Sequence, residues 1–188
     1  WGSWASSWGR ILGQSVAFLG PVGFLIYALQ RAKAIVARVI ATSSSDEKRS
    51  RLREMGGEHV SNCRSTPNWG AEMQRLTNGR GVDLVVEIGG PATLAQSIDA
   101  GRTGAHIALI GVLTGVSGDV PTATLMRKQQ RLQGLIVGSR KHQIDFVAAL
   151  ETLAVRPVID CRFDLAARGH TFPPKASGKS FGKISAYP

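Results

Sequence analysis

ARVIATSSSDEK at residues 37–48, GRGVDLVVEIGGPATLAQSI at 79–98 and GAHIALIGVLTG at 104–115 decide how this chain folds. In each, an apolar run of four to seven residues gives way to small or hydroxyl residues and then to a helical pattern or a glycine-rich loop. Runs of that length, apolar throughout rather than alternating, are the pattern of parallel strands buried on both faces, with helices crossing between them. Ligands of such sheets bind outside the carboxyl ends of the strands. The loops Thr42–Ser45, Ile88–Gly90 and Gly111–Gly115 are therefore the first places to look for function.

Working outward, strands are expected at 16–20, 37–41, 58–61, 82–87, 105–110 and 132–137, and the first helix at 24–35. Ser44 stands three residues before Glu47 as a capping box for the helix that Gly56-Gly57 stops. Thr66 reads as an N-cap with Pro67 in the first turn, and Asn78-Gly79 as the stop. Gly90-Pro91 opens a helix ending at Gly101, Pro121 begins another, and Ser139 caps one that reaches about Ala154. The fold class is α/β: a doubly wound, Rossmann-type parallel sheet of about six strands. Two short strands, 158–163 and 181–185, form a C-terminal appendage, and Pro173-Pro174 forbids a continuous helix between them.

The chain has 188 residues, 43% of them hydrophobic, which is enough for one full domain and an appendage. Its net charge of +10 points to an anionic partner: a phosphorylated cofactor, nucleic acid or a membrane surface. The bases are spread through expected helices (Lys48, Arg49, Arg51 and Arg53) and through the segment Arg127 to Arg140 without interleaved aromatics, so solvated helix faces are expected and nucleic acid is not. Cys63 and Cys161 stand alone, without ligand spacing, and imply neither a disulfide nor zinc. His106 sits inside an apolar strand pattern, where a satisfied core or edge histidine is expected rather than a catalytic one. The apolar stretch 16–29 is too short for a bilayer and is broken by Gly20, Pro21 and Gly23, so no membrane span and a cytoplasmic location are expected.

A dinucleotide fingerprint needs glycine for a tight turn, for close approach of backbone to pyrophosphate, and for helix packing. Gly20-Pro21-Val22-Gly23-Phe24-Leu25 keeps only the first of these spaced positions, with Val22 and Leu25 at the others. The segments ALQRAKAIVARVIATSSSDEKRSRLREMGGEHVSN, GRGVDLVVEIGGPATLAQSI, GAHIALIGVLTGVSGD, MRKQQRLQGLIVGSR and SGKSFGKI nonetheless resemble, in order and at the right separations, the cofactor domain of medium-chain dehydrogenases and reductases. This is the zinc-type alcohol dehydrogenase and quinone oxidoreductase superfamily, and the resemblance runs from about Val16 to Ile184.

The resemblance implies a dinucleotide-binding domain at 16–155, an unmatched segment at 1–15, and a segment at 156–188 that returns to a catalytic half. It implies hydride transfer between a nicotinamide and an alcohol, carbonyl or quinone. Gly20 and Gly23 match the family's first turn, where Val22 is a departure that would crowd the pyrophosphate. Ile88, Gly89, Gly111, Val112, Gly138 and Ser139 match positions facing the cofactor, and Lys183 a basic position near the pyrophosphate. Ser43 occupies the place of the acid that binds the ribose 2′-hydroxyl, and with Lys48 a turn on, NADP is expected over NAD.

No residue is assigned as a catalytic acid, base or zinc ligand, and no zinc is expected. A homodimer through strand 132–137 is the expected assembly. The final strands are expected to lack sheet partners and to exchange amide protons rapidly. The rival reading is a non-catalytic remnant acting, if at all, through association.

Overall fold

A computed structural model describes residues 13–19, 23–43, 45–62, 65–164 and 181–187. The apolar runs become β1 (Ser15–Leu19), β2 (Arg38–Ser43), β3 (His59–Asn62), β4 (Val82–Glu87), β5 (Gly101–Leu109) and β6 (Arg131–Gly134). Between and after them lie α1 (Gly23–Ala34), α2 (Asp46–Glu54), α3 (Trp69–Leu76), α4 (Pro91–Ala100), α5 (Thr122–Arg127) and α6 (Arg140–Thr152). All six strands are parallel and stand in the order β3-β2-β1-β4-β5-β6. The order reverses between β1 and β4, and such a reversal opens the crevice where ligands bind.

Side chains alternate between the faces of a strand, and here each face has its own apolar cover. Val16 and Phe18 of β1, Val39 and Ala41 of β2, and Leu84 and Val86 of β4 pack with Ile26 and Leu29 of α1 and Leu52 of α2. Ala17, Ile40, Val85 and Ile107 face the other way, onto Trp69 and Met73 of α3 and Leu94 and Ile98 of α4. The apolar runs within the central strands, which do not alternate with polar residues, follow from this double burial.

Helix starts differ from expectation where two capping residues compete. The N-cap of α2 is Ser45, whose hydroxyl accepts from the Lys48 amide, so the helix begins one residue later than a Ser44 capping box would place it. Ser44 itself, like Cys63 and the Pro173-Pro174 pair, lies outside the described residues. The N-cap of α3 is Asn68 rather than Thr66, its Oδ1 accepting from the Ala71 amide at 3.3 Å. Strand β6 ends at Gly134, although apolar residues continue to Val137, and Ile136 is 93% exposed. His106 is not a satisfied histidine: its buried Nε2 has no hydrogen-bond partner. Burial, and then the charge of Arg131 on the neighbouring strand, lower its pKa.

The appendage also departs from expectation. β7 (Ile159–Asp164) and β8 (Lys183–Tyr187) pair with each other as a parallel two-stranded sheet instead of standing unpartnered. Phe181, 1% exposed, inserts into the same core as β1 and α1. The Arg51 guanidinium lies 3.9 Å from its ring centroid and 3.7 Å from the Asp160 carboxylate, which accepts the Phe181 amide at 3.0 Å. Cation, ring and carboxylate together clamp the appendage to α2.

At the amino end of the sheet, Asp83 of β4 is a buried carboxylate whose partners knit three strands. The amide and hydroxyl of Ser15 donate to it at 2.9 Å, Arg80 at 2.6 and 3.0 Å, and Arg102 at 2.5 Å. Burial works to raise its pKa, but the hydrogen bonds from Arg80, Ser15 and Arg102 prevail and hold it well below the usual carboxylate range. An acid with a folded-state pKa below its unfolded value of about 3.9 stabilises the fold above that pH, and the contribution fades as pH falls toward the folded value. Asp83→Asn should therefore cost about 3 kcal/mol at pH 7 in urea unfolding, the low end for a broken buried pair because both arginines reach solvent. The gap between variant and parent should narrow below about pH 4.

Candidate functional site

The site grows from the end of β4, where an apolar run closes on a carboxylate. Glu87 is completely buried. Its Oε1 accepts from the amides of Gly89 at 2.6 Å and Gly90 at 3.0 Å and from the Thr93 hydroxyl at 2.7 Å. Its other oxygen accepts a short bond from the Ser97 hydroxyl. Thr93 and Ser97 are four residues apart on α4 and so share one helix face. A buried charge is tolerable only when its lone pairs are filled, and this one locks the turn from β4 into α4. Gly90, the N-cap of α4, has φ of +88°, a conformation that favours glycine.

A second loop is laced onto the first. The Ile110 amide donates to the Glu87 carbonyl at 2.8 Å, that of Leu113 to Ile88 at 3.3 Å, and that of Thr114 to Gly89 at 2.8 Å. The Thr114 hydroxyl donates to the Gly89 carbonyl at 2.9 Å and accepts from the Ala92 amide at 3.0 Å. Gly111 passes so close to Ile88 that a Cβ there would lie 3.0 Å from the Ile88 Cα and closer still to its carbonyl oxygen. The carboxyl ends of β4 and β5 thus form one preformed floor beside the β1/β4 reversal.

Of the residues expected at the site, Ile88, Gly89, Gly111 and Val112 are brought together on this floor, with Val112 52% exposed. Ser43 ends β2, on the other side of β1, with Lys48 in the first turn of α2. The Ser43 hydroxyl is buried and engaged within its own turn, accepting from the Ser45 amide at 3.1 Å and donating to the Ser45 carbonyl at 3.2 Å. Asp46, the nearest acid, accepts from Arg49 at 2.6 Å and from the Asn62 amide group at 3.0 Å. Gly23 is the first residue of α1, while Gly20 and Val22 lie outside the described residues.

Gly138 and Ser139 lead from β6 into α6, which Ser139 caps in a reciprocal box with His142: the Ser139 amide donates to Nδ1 at 3.2 Å, and its hydroxyl accepts from the His142 amide at 3.3 Å. Lys183 opens β8 with its ammonium 5.6 Å from the Tyr27 ring of α1. It lines a cleft of about 380 Å³ together with Gln143, Phe146 and Ile159. Among the described residues no three His, Cys, Asp or Glu side chains gather as a metal site, and no helix is long and apolar enough to cross a membrane.

At the reversal the backbone has the arrangement beside which doubly wound sheets hold ligands. Neighbouring strand ends stand side by side at the reversal, and at Gly111 the close approach to Ile88 leaves no room for a side chain. Glu87, Thr93, Ser97 and Thr114 were not singled out from the sequence. The available signal was an acid closing an apolar run, followed by hydroxyls six and ten residues on.

Comparison with known proteins agrees with this geometry. A family model described as zinc-binding dehydrogenase matches residues 21–154. A zinc-type alcohol dehydrogenase-like protein of Schizosaccharomyces pombe is 33% identical over 92% of this chain and 51% of its own length. Prostaglandin reductase-3 of Mus musculus is 31% identical over 86% of this chain and 43% of its own. A crystal structure described as a candidate alcohol dehydrogenase of Sinorhizobium meliloti 1021 superposes with a TM-score of 0.87 at 34% identity, over 97% of this chain and 53% of that one. This chain thus spans about half the length of the curated relatives it matches.

Glu87→Gln would turn an amide N–H₂ toward donors that need an acceptor, and should cost about 2 kcal/mol or more in urea unfolding. Amide chemical-shift changes should concentrate at 88–93 and 110–114. Shifts spread evenly over the sheet would show that Glu87 does not hold the two loops.

Proposed function

We infer that this chain, which belongs to the zinc-binding dehydrogenase family, is the NADP-binding domain of an alcohol dehydrogenase-like or quinone oxidoreductase-like enzyme. The observation that carries the reading is the floor at the β1/β4 reversal, where Glu87 and Thr114 hold two loops in register at the strand ends. The proposed domain runs from 16 to 155, with 156–188 as the segment leading back toward a substrate-binding half that would complete the enzyme.

When bound, the nicotinamide supplies hydride chemistry toward an alcohol, carbonyl or quinone. The chain's own part is to bind and orient. Ile88, Gly89, Gly111 and Val112 offer backbone and an apolar wall, Gly138 and Ser139 flank them beyond β6, and Gly20 and Gly23 belong to the turn before α1. Lys183 places a cation beside the first turns of α1, where a pyrophosphate charge would be met. NADP is preferred to NAD because no carboxylate closes β2 to repel a 2′-phosphate. Ser43 is committed to its own turn, Asp46 is held by Arg49 and Asn62, and Lys48 contributes positive charge. Work in the cytoplasm suits this reading. A non-catalytic association module is the second reading, favoured by the exposed Ile136 and Val137 beyond the edge strand β6.

NADPH should bind more tightly than NADH by about tenfold, the size of one charge-assisted hydrogen bond, in calorimetric titration. Lys48→Ala should close most of that gap, and an NADH preference would sink the argument from β2. In analytical ultracentrifugation the chain should form a dimer that Ile136→Lys disperses, whereas a monomer at high concentration would remove β6 from the assembly.

A further inference from the structure

Two strands away from the β1/β4 reversal, and beyond the Ser43–Lys48 turn, the outer edge of β3 carries a polar cleft of about 330 Å³ between α2 and α3, lined by Arg49, Arg53, His59, Asn62, Ser65 and Thr66 among others. Arg49 and Arg53 lie four residues apart on α2 and so project from the same side of that helix. Opposite them stand hydroxyl and amide groups from the end of β3 and the loop that follows. Among the described residues β3 pairs only with β2, and its other edge faces this cleft.

Two acids also line the cleft, and both are already engaged. Glu58 accepts Arg38 at 2.8 and 3.0 Å, and Glu72 accepts Arg75 at 2.7 and 2.8 Å, with both arginines outside the lining. Those hydrogen bonds hold both carboxyls below their usual range, so they stay charged and paired at neutral pH. Arg49 shares Asp46 with Asn62, yet its buried Nε has no hydrogen-bond partner. Arg53 donates only a long 3.4 Å bond to the Val60 carbonyl, and no ion pair joins it to a carboxylate among the described residues.

The acids are neutralised from outside, the donors converge from both walls, and one guanidinium keeps its full charge. We propose that this cleft is a second binding site that takes a phosphate-class anion, separate from the dinucleotide crevice. Arg53 supplies the charge and Arg49 a buried N–H. On the facing wall Ser61 and Thr66 supply hydroxyls, that of Ser65 already donating to the Asn62 carbonyl at 3.2 Å, and donors spread over two walls suit a tetrahedral oxyanion better than a planar carboxylate.

The test is a titration of the isotopically labelled full chain with inorganic phosphate at low ionic strength, read by amide chemical shifts. Saturable shifts at 49–53 and 59–62 are expected, and Arg53→Gln should weaken them about tenfold while Arg53→Lys keeps part of the affinity. Arg53 is exposed and makes only the one weak contact, so its replacement should leave the melting temperature unchanged. Competition by adenosine 2′-phosphate but not adenosine 5′-phosphate at these amides would assign them to the 2′-phosphate position beside Ser43 and Lys48 and overturn a separate site, whereas competition by neither supports it. Absence of saturable shifts at 59–62, or equal affinity in Arg53→Gln, would overturn the proposal. Failure of dinucleotide binding would register instead at 88–90 and 111–114, so the two readings can fail separately.

Discussion

A carboxylate removed from water must be surrounded by donors, and in this chain the whole ligand-facing edge of the sheet is arranged around one such group. Glu87 gathers two amides and two hydroxyls from the turn and helix that follow it. Those contacts set the direction of α4, fix Gly89 and Gly90, and leave the Ile88 and Gly89 carbonyls aimed at the next loop. Thr114 and Leu113 then dock on those carbonyls, and Gly111 can pass only because it has no side chain. Loops are usually the softest parts of a fold. Here two of them are tied to a buried charge, which is what a rigid cofactor needs from its bed.

The amino end of the sheet uses the same physics for a different purpose. Asp83 is buried too, but its donors are two arginines and Ser15 rather than a helix, and it joins strands instead of shaping a loop. In a chain of net charge +10, acids are the scarce partner. Asp83, Glu58, Glu72 and Asp46 each hold at least one arginine, and Asp160 holds Arg51 against Phe181. The excess bases left over fall partly on α2, between the end of β2 and the edge of β3.

Much of the fold was legible because double burial writes itself into the strands: Val82–Glu87 reads as a strand from Val82, Leu84, Val85 and Val86, despite two acids, and is one, residue for residue. Helix starts were less legible where neighbours compete. Ser44 and Ser45 are equivalent to a pattern, and the choice is made by the Ser43 hydroxyl turning back on Ser45. The appendage was misread because β7 and β8 pair across some twenty residues, and because Phe181 is buried by a tertiary contact that no local period announces. At the site, glycines in loops marked the floor, whereas Glu87 was hidden, since an acid ending an apolar run looks like a strand reaching solvent. Lys183 was placed by resemblance, and its position beside Tyr27 is a consequence of how β8 docks.

Hydrogen exchange with and without NADPH tests the central claim most directly. If the Glu87-centred floor is the dinucleotide bed, NADPH should slow exchange at Gly89, Gly90 and 111–114 and in the turn from Ser43 to Lys48, while β7 and β8 stay unchanged. Protection confined to the appendage or spread uniformly over the chain, with the 88–90 and 111–114 amides unaffected at saturating NADPH, would contradict it.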